Sequence, residues 1–426
     1  MKSNAYPGDF VEIHLTHKIY EGTLLQTPES EKGIILLKLS TGYNIGFNKK
    51  DILEIRAIKK LQEKKEKLEI KKDSKKPNIA IIMTGGTIAS RYDSKTGGAS
   101  ALNTPEELFK VYPELFDKVN ISKIEIPFVK DSGEMDPKDW QIIAKTAESL
   151  LNNSDIKGII VTHGTDSLHY TSAALSFFLR NLNKPVVLTY SQRSIDRASS
   201  DAILNLQCAI LATISEIAEV MVIGHASSND DFCYAINGTK VRKMHSSRRD
   251  AFKSINTKPI AKIFPNRIDF ISNYKSRQKS KMKLDKKFKE KIALIKYYPG
   301  QNPDILNYYL KKKYKGIILE VLGLGQIATK DSRNNWIPKL KEIQEKGIIV
   351  CATSQTINGK LNPLVYSTGR SLLETGIIYL EDMLSETAFV KLGWVLGHKD
   401  WAKEKSIVEE KMLENFAGEL NDRLED

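Results

Sequence analysis

The stretch Gly158-Ile-Ile-Val-Thr-His-Gly-Thr-Asp-Ser-Leu-His-Tyr-Thr-Ser-Ala-Ala-Leu-Ser-Phe-Phe-Leu-Arg180 decides the fold of this chain. Its apolar, β-branched start, residues 158–161, is typical of a strand that is buried on both faces. A polar turn follows at residues 163–166, and apolar residues then recur at helical spacing as far as residue 178. A strand that turns directly into a helix indicates an open α/β sheet, which binds ligands beyond the carboxyl ends of its strands.

The polar residues of this turn, Thr165 and Asp166, have two interpretations. A threonine or aspartate in front of a helix most often caps the first backbone N–H groups. The same side chains would also lie in the positive potential of a helix N-terminus, where they could hold or activate a substrate. This stretch alone leaves both interpretations open.

Length and composition limit the class of protein. A chain of 426 residues predicts two or three domains, and 41% hydrophobic with 27% charged residues is typical of a soluble globular protein. No run approaches the ~20 apolar residues of a membrane helix, and the first residues lack the apolar core of a signal peptide. The cysteines lie far apart, so we expect no metal site, no disulfide framework and a reducing cytoplasm; they are Cys208, Cys233 and Cys351.

The formal net charge of +13 permits two explanations. A strongly basic chain suits a polyanionic partner such as RNA. A lysine-rich composition alone produces the same charge without any such partner. The charge therefore does not decide between these explanations.

Hydrophobic periodicity divides the chain into three folded units. Alternating apolar residues with regular glycines predict a small all-β unit, and two stretches of alternating strands and helices follow it. Two lysine-rich stretches separate these units, and each is either a solvated spacer or a surface that contacts RNA. The expected organisation is a small β-barrel-like domain at 1–58, a basic linker at 59–77, an α/β domain with the active site at 78–272, a basic linker at 273–291 and a second α/β domain at 292–426.

A second polar turn with a threonine also follows an apolar strand, as the turn at residues 163–166 does. It is Met83-Thr-Gly-Gly-Thr-Ile-Ala-Ser90, in which two glycines allow close backbone approach and Thr87 follows a strand end. A threonine hydroxyl is a weak nucleophile that needs a base, and a lysine with a lowered pKa can supply one. Each threonine taken alone is more often a cap or a turn residue, and the glycine spacing matches neither a P-loop nor a dinucleotide fingerprint.

Together the two turns resemble the signature motifs of the L-asparaginase/glutaminase amidohydrolase family. The segments Thr84-Gly-Gly-Thr-Ile-Ala89 and His163-Gly-Thr-Asp166 match in order and separation. The resemblance implies an α/β fold, with an asparaginase-like two-domain parallel-sheet body preceded by the small all-β barrel-like domain. It also implies hydrolysis of a side-chain amide.

The resemblance further implies roles for individual residues. Lys243 falls at the position of the family's catalytic lysine, with Lys240 as a nearby competitor. Gly133 replaces a side chain usual in simple asparaginases, so amino-acid binding is expected to differ. Residues 91–100 match the family's mobile flap, in which Tyr92 is the only tyrosine. The implied catalytic residues are Thr87, Thr165, Asp166 and Lys243, and the implied substrate-binding residues are Gly86, Ser132, Glu134 and Gly164.

Further segments narrow the resemblance to the glutaminase subunits of archaeal tRNA-dependent amidotransferases. These segments are Ser40-Thr-Gly-Tyr-Asn-Ile-Gly46, Ser191-Gln-Arg-Ser-Ile-Asp-Arg-Ala-Ser-Ser-Asp201, Tyr366-Ser-Thr-Gly-Arg370 and Lys391-Leu-Gly-Trp-Val-Leu-Gly397. This likeness implies a homodimer within a heterotetramer, in which the chain releases ammonia from glutamine for an E-type partner of the amidotransferase. That partner would use ATP and Mg²⁺ to amidate the misacylated Glu-tRNA(Gln), while this chain needs no cofactor. A free cytoplasmic asparaginase with an accessory domain and a non-catalytic RNA-binding or scaffolding protein remain as alternatives.

Overall fold

The computed structural model describes residues 2–27, 33–41, 43–60, 73–92, 99–101, 117–195, 197 and 199–424. The sequence also predicts a solvated helix within the basic linker at 59–77 and a helix at 108–115. Most of that linker, the helix at 108–115 and the central part of the flap lie outside these residues.

The N-terminal domain is one six-stranded sheet. Its strands follow the order β1-β6-β2-β3-β4-β5, with antiparallel pairing except between β1 and β6. Apolar residues on one face form a small core that includes Val11, Ile13 and Leu37. The sequence predicted a small all-β unit here, and the last strand continues one residue past the predicted boundary at 58. The strands are β1 Lys2–Ser3, β2 Phe10–Leu15, β3 Ile19–Leu25, β4 Ile34–Lys38, β5 Asn44–Asn48 and β6 Ile52–Lys59.

The second domain is built on an eight-stranded sheet with the order β10-β7-β11-β13-β14-β15-β18-β19. The strands are β7 Asn78–Met83, β8 Ser90–Tyr92, β9 Ala99–Ala101, β10 Asn120–Glu125, β11 Ile156–Thr162, β12 Leu179–Arg180, β13 Val186–Thr189, β14 Val220–His225, β15 Cys233–Asn237, β16 Val241–Lys243, β17 Phe252–Ser254, β18 Ala261–Ile263, β19 Ile268–Phe270 and β20 Lys283–Leu284. The helices are α1 Pro137–Leu151, α2 Leu168–Phe178 and α3 Ala202–Thr213.

This large sheet is parallel only in its first five strands, from β10 to β14. Residues along β7 and β11 point alternately into two buried clusters, one shared with α1 and α2 and the other with α3. This layering confirms the predicted α/β architecture. The antiparallel strands β15, β18 and β19 were not predicted, because such short strands lack the long apolar runs by which the parallel strands are recognised.

The C-terminal domain is a four-stranded parallel sheet with helices around it. Its strands are β21 Ile292–Lys296, β22 Gly316–Val321, β23 Ile349–Ser354 and β24 Ile378–Tyr379, and its helices are α4 Ile305–Lys311, α5 Ile337–Glu345, α6 Ser367–Leu373, α7 Ser385–Gly397 and α8 Lys405–Leu413. Helix α7 packs against α2 of the preceding domain, where the rings of Phe177 and Trp394 stack with 5.5 Å between centroids. The two α/β domains therefore share one hydrophobic core.

The segment 273–291 contacts both domains at several residues, although its lysines are exposed to solvent. The Arg277 guanidinium donates hydrogen bonds to three backbone carbonyls, at Lys157, Thr213 and Ser215. Met282 is buried, and the Phe288 ring occupies the space beside Gly393. The basic composition did not predict these contacts, because the aliphatic parts of lysine and arginine side chains can pack against the protein while their charged groups stay in water.

None of the helices in the described part of the chain is long and apolar enough to cross a membrane.

Candidate active site

The two motif turns meet because their strands are neighbours. Strands β7 and β11 pair in parallel, with Met83 opposite Thr162, so both turns leave the same edge of the sheet. The Thr84 hydroxyl donates to the Thr162 carbonyl oxygen at 2.9 Å and joins the two strand ends. This is the edge at which an open α/β sheet binds its ligands.

Glycines allow the two turns to interlock. Gly86 has φ of +83°, and a Cβ atom there would lie 2.6 Å from the Cα atom of Gly164. A Cβ atom on Gly164 would in turn lie 2.6 Å from the Ser132 hydroxyl oxygen. Glycine is therefore required at both positions for steric reasons, and the role of these two residues in substrate binding stays a prediction.

Lys243 joins both predicted catalytic residues of the second turn. Its Nζ atom donates to the Thr165 hydroxyl oxygen and to a carboxylate oxygen of Asp166, each at 2.8 Å. The Lys243 side chain is 12% exposed, whereas that of Asp166 is 73% exposed. A lysine that contacts a threonine hydroxyl can exchange a proton with it, which is the arrangement required for general acid–base catalysis.

The competing lysine, Lys240, lies elsewhere. Its ammonium group is buried and forms an ion pair with Asp382 of the C-terminal domain, with 2.5 Å between Nζ and Oδ2. Burial lowers the pKa of Lys240, and the Asp382 carboxylate opposes that change. Of the two lysines, Lys243 contacts Thr165 and Lys240 pairs with the C-terminal domain, and the catalytic role of Lys243 stays a prediction.

The predicted substrate loop reaches the cluster through Ser132. This buried residue begins a 3₁₀ turn, Ser132–Glu134, and its hydroxyl accepts a hydrogen bond from the Asp166 backbone N–H at 3.0 Å. The Ser167 hydroxyl donates to the Ser132 carbonyl oxygen at 2.5 Å. Glu134 and Gly133 are exposed on the same turn, and the space beside Gly133 is open. The loop is thus fixed to the Thr165 turn, with one carboxylate pointing to solvent.

Thr87 and the flap follow the first turn without a break. Thr87 opens the 3₁₀ turn Thr87–Ala89 and is half-buried. Strands β8 and β9 then pair antiparallel, with Arg91 opposite Ser100, so they form the two arms of a hairpin. The centre of the predicted flap lies outside the described residues, and the role of Tyr92 stays a prediction.

Two buried histidines near the cluster were not predicted. His163 lies within hydrogen-bonding distance of two groups, with its Nδ1 atom 2.7 Å from the Gly164 carbonyl oxygen and its Nε2 atom 2.9 Å from the Thr171 hydroxyl. Because a carbonyl can only accept, Nδ1 carries the proton and Nε2 accepts from Thr171. Burial lowers the pKa of His163 to about 4, so the neutral ring braces the turn that presents Thr165. The signal available in the sequence was a histidine directly after the apolar strand β11.

These histidines predict that the free energy of unfolding falls in acid. Burial, together with the charges of Arg242 and Lys243, lowers the pKa of His169 to about 3 in the folded protein. The unfolded chain then binds more protons below pH ~6.5, so this stability is complete above that pH and is lost as the pH falls. Each histidine contributes up to about 1.4 kcal/mol per pH unit.

The measurement is urea denaturation at several pH values, with His169→Phe as the comparison. The pH slope of the variant should be smaller by up to about one proton between pH ~6 and ~4. Equal slopes in both proteins would contradict this account of His169.

Comparisons with known proteins agree with this geometry. Residues 78–276 match the family described as "Asparaginase, N-terminal", residues 291–407 match the "Glutaminase/Asparaginase C-terminal domain", and residues 5–58 match the "GatD N-terminal domain". Among solved structures, the thermostable L-asparaginase from Thermococcus kodakarensis is 29% identical with a TM-score of 0.71. The match covers 99% of that chain but only 81% of this one.

Curated relatives extend over nearly the whole chain. A D-type subunit of glutamyl-tRNA(Gln) amidotransferase from Pyrococcus abyssi is 46% identical over 98% of this chain and 95% of the relative. One from Thermococcus kodakarensis is 47% identical over 94% of this chain and 90% of the relative. With both asparaginase domains and the N-terminal domain matched, the chain belongs to the family of D-type glutamyl-tRNA(Gln) amidotransferase subunits.

Proposed function

We propose that this chain is the glutaminase subunit of a glutamyl-tRNA(Gln) amidotransferase. It hydrolyses glutamine and supplies the ammonia with which an E-type partner converts Glu-tRNA(Gln) to Gln-tRNA(Gln). The assembled enzyme is a carbon–nitrogen ligase with glutamine as amido donor. The observation that supports this most directly is the contact of Lys243 with both Thr165 and Asp166, beside the interlocked glycine turns.

The proposed reaction is covalent acyl transfer with two threonines. The Thr87 hydroxyl attacks the carboxamide carbon of glutamine, its proton passes to the departing nitrogen, and the C–N bond breaks so that ammonia leaves and a threonyl ester remains. Water attacks the resulting ester and releases glutamate, while Thr165 passes protons to and from Lys243. Asp166 stabilises the ammonium form of that lysine.

The glycine-rich turns suit the charge that develops during attack. Backbone N–H groups that lie close to a reacting carbonyl stabilise an oxyanion by roughly 3–4 kcal/mol per donor. The turn at Gly85 and Gly86 has positive φ values, +111° and +83°, which glycine adopts without strain, and its backbone N–H groups are the proposed donors to the oxyanion. Ser132, Glu134 and the backbone at Gly86 and Gly164 would bind the α-carboxylate and α-amine of glutamine.

The proposed assembly has one partner protein and one nucleic acid. The E-type partner activates the γ-carboxyl of Glu-tRNA(Gln) with ATP and Mg²⁺, so this chain needs neither a cofactor nor a metal. The chain would form a homodimer within a heterotetramer in the cytoplasm, and the misacylated tRNA would be reached through the complex.

A test of this function is the rate of glutamine hydrolysis in three states: the chain alone, with the E-type partner, and with that partner plus Glu-tRNA(Gln). We expect the rate to rise in this order, because a glutaminase without an acceptor wastes its substrate. The hairpin β8–β9 is the proposed switch, since flap closure excludes water from the reacting amide. A partner can favour closure only through contacts that it gains in the closed state.

Asparagine serves as the comparison substrate in the same three states. Equal rates in all three states, with asparagine used as well as glutamine, would support the free amidohydrolase instead. Absence of hydrolysis in every state would support the scaffolding protein.

A further inference from the structure

The turn that carries Lys243 is fixed by the C-terminal domain. Residues 238–240 connect β15 to β16, which ends at Lys243, and residues 382–387, which include the start of α7, contact this turn and strand. Asp382 pairs with Lys240 at 2.5 Å, Glu386 with Arg242 at 3.1 Å, and the Thr387 hydroxyl donates to the Thr239 carbonyl oxygen at 2.8 Å. The turn is therefore held by a segment that is 142 to 148 residues away in sequence.

The geometry of strand β16 connects these contacts to Lys243. Successive side chains of a strand point to opposite faces, so Arg242 points to one side and Lys243 to the other. Arg242 reaches the C-terminal domain, whereas Lys243 reaches Thr165 in its own domain. A shift of α7 would thus move the backbone from which Lys243 extends, and a misplacement of about 1 Å can cost about 100-fold in rate.

The contacts made by Asp382 and Glu386 differ in how completely each carboxylate is hydrogen-bonded. The Asp382 carboxylate also accepts hydrogen bonds from the backbone and the side-chain amide of Asn421, so all its partners are in place. Glu386 holds Arg242 through one oxygen, while its Oε2 atom is buried without a hydrogen-bond partner among the described residues. Burial raises the pKa of Glu386, and the nearby Arg242 charge opposes this change. The Asp382 carboxylate is thus held in place by further hydrogen bonds, and the Glu386 contact is the weaker of the two.

We propose that the C-terminal domain positions Lys243 for catalysis through Thr387, Asp382 and Glu386, which hold residues 239–242. These are positioning residues, since none of them contacts Thr165 or Asp166 in the described structure. The inference rests on the proposed function, because it assigns Lys243 to glutamine hydrolysis. It also supplies a route by which a partner seated on the C-terminal domain would control the rate.

The test compares three substitutions at the start of α7 in the full chain with its partner. Thr387→Val removes the hydroxyl that bonds the Thr239 carbonyl while it keeps the shape, and Thr387→Ser restores that hydroxyl. Ser385→Ala is the matched control, because it removes one hydrogen bond of a buried hydroxyl, to Thr353 at 2.9 Å, and that bond does not reach residues 239–243. Arg242→Gln is a second variant of the turn, and its partly exposed side chain makes it easier to accommodate.

We expect Thr387→Val and Arg242→Gln to lower the kcat for glutamine about 10- to 100-fold with little change in KM, since the Ser132 loop is untouched. Thr387→Ser and Ser385→Ala should keep kcat within about twofold of the wild type. Hydrogen exchange of the amides at residues 239–243 should accelerate in Thr387→Val and not in Ser385→Ala.

The outcomes separate this inference from the proposed function. If the wild type shows no glutamine hydrolysis, the proposed function fails, and hydrogen exchange still decides whether α7 holds the turn. If the wild type is active but Thr387→Val and Arg242→Gln match Ser385→Ala in kcat and exchange, the positioning role is overturned. A Thr387→Val protein that does not fold leaves Arg242→Gln to give the same decision.

Discussion

Replacing Lys243 by methionine should abolish glutamine-dependent amidation of Glu-tRNA(Gln), while amidation fed by free ammonium should persist. Methionine keeps the length of the side chain but removes the ammonium group that joins Thr165 to Asp166. Loss of a positioned acid–base group lowers kcat by about 10²–10⁴-fold. Ammonium rescues the product because the partner's chemistry does not involve this site.

Several variants sharpen this result. Lys253→Met on the paired strand β17 is the matched control, since this substitution removes an ion pair with Asp250 and a hydrogen bond to the Ala226 carbonyl.

Thr87→Ala and Thr165→Ala should each be as inactive as Lys243→Met, and combining them should lower the activity little further, because the groups act as a unit. Asp166→Asn should also lose glutamine-dependent activity, because it removes the carboxylate that pairs with Lys243. A folded Lys243→Met enzyme that keeps glutamine-dependent activity, or that ammonium fails to rescue, would refute the assignment.

Replacing Glu419 by alanine should lower the free energy of unfolding by about 3–5 kcal/mol, the cost of an unpaired buried charge. Glu419 and Lys391 form a fully buried ion pair with 2.6 Å between Nζ and Oε1. The carboxylate also accepts the backbone N–H groups of Phe416 and Ala417. Without Glu419, the Lys391 ammonium keeps the carbonyl oxygens of Met412 and Glu414 and the face of the Phe416 ring, but no carboxylate that forms an ion pair with it among the described residues.

Chemical denaturation measures this change, and two further proteins control it. Glu410→Ala breaks an exposed pair with Lys411 and should cost less than about 1 kcal/mol. The double variant Lys391→Met with Glu419→Leu should be more stable than Glu419→Ala, since apolar replacement of both partners removes the unpaired charge. A cost for Glu419→Ala as small as that for Glu410→Ala would show that the buried pair contributes little.

Most of the fold followed from apolar periodicity, whereas much of the site did not. Strands β7 and β11 are long apolar runs, and their turns carry recognisable glycines and threonines. The choice between Lys240 and Lys243 depends on which face of a short turn and strand each side chain occupies, and no local pattern encodes that. The Asp166 N–H bond to Ser132 likewise joins residues 34 positions apart and has no sequence signature.

The remaining differences between the predicted and the observed fold lie in short strands and in the segment 273–291. Strands β18 and β19 have three residues each, so alternation has no length over which to appear. Segment 273–291 has a solvated composition, yet Arg277 and Phe288 find partners supplied by the tertiary fold. In both cases long-range packing overrides local preference.

Because α2 and α7 share one core, the second domain cannot finish folding until α7 has been synthesised. Helix α7 leaves the ribosome about 200 residues after α2, which takes roughly 10–40 seconds at ~5–20 residues per second. During that interval Phe177 lacks its stacking partner Trp394, and the Lys243 turn lacks the contacts from Asp382 and Thr387. A nascent or truncated chain therefore exposes an apolar helix face to chaperones. Such a chain also cannot complete the proposed catalytic cluster before the start of α7 has been made.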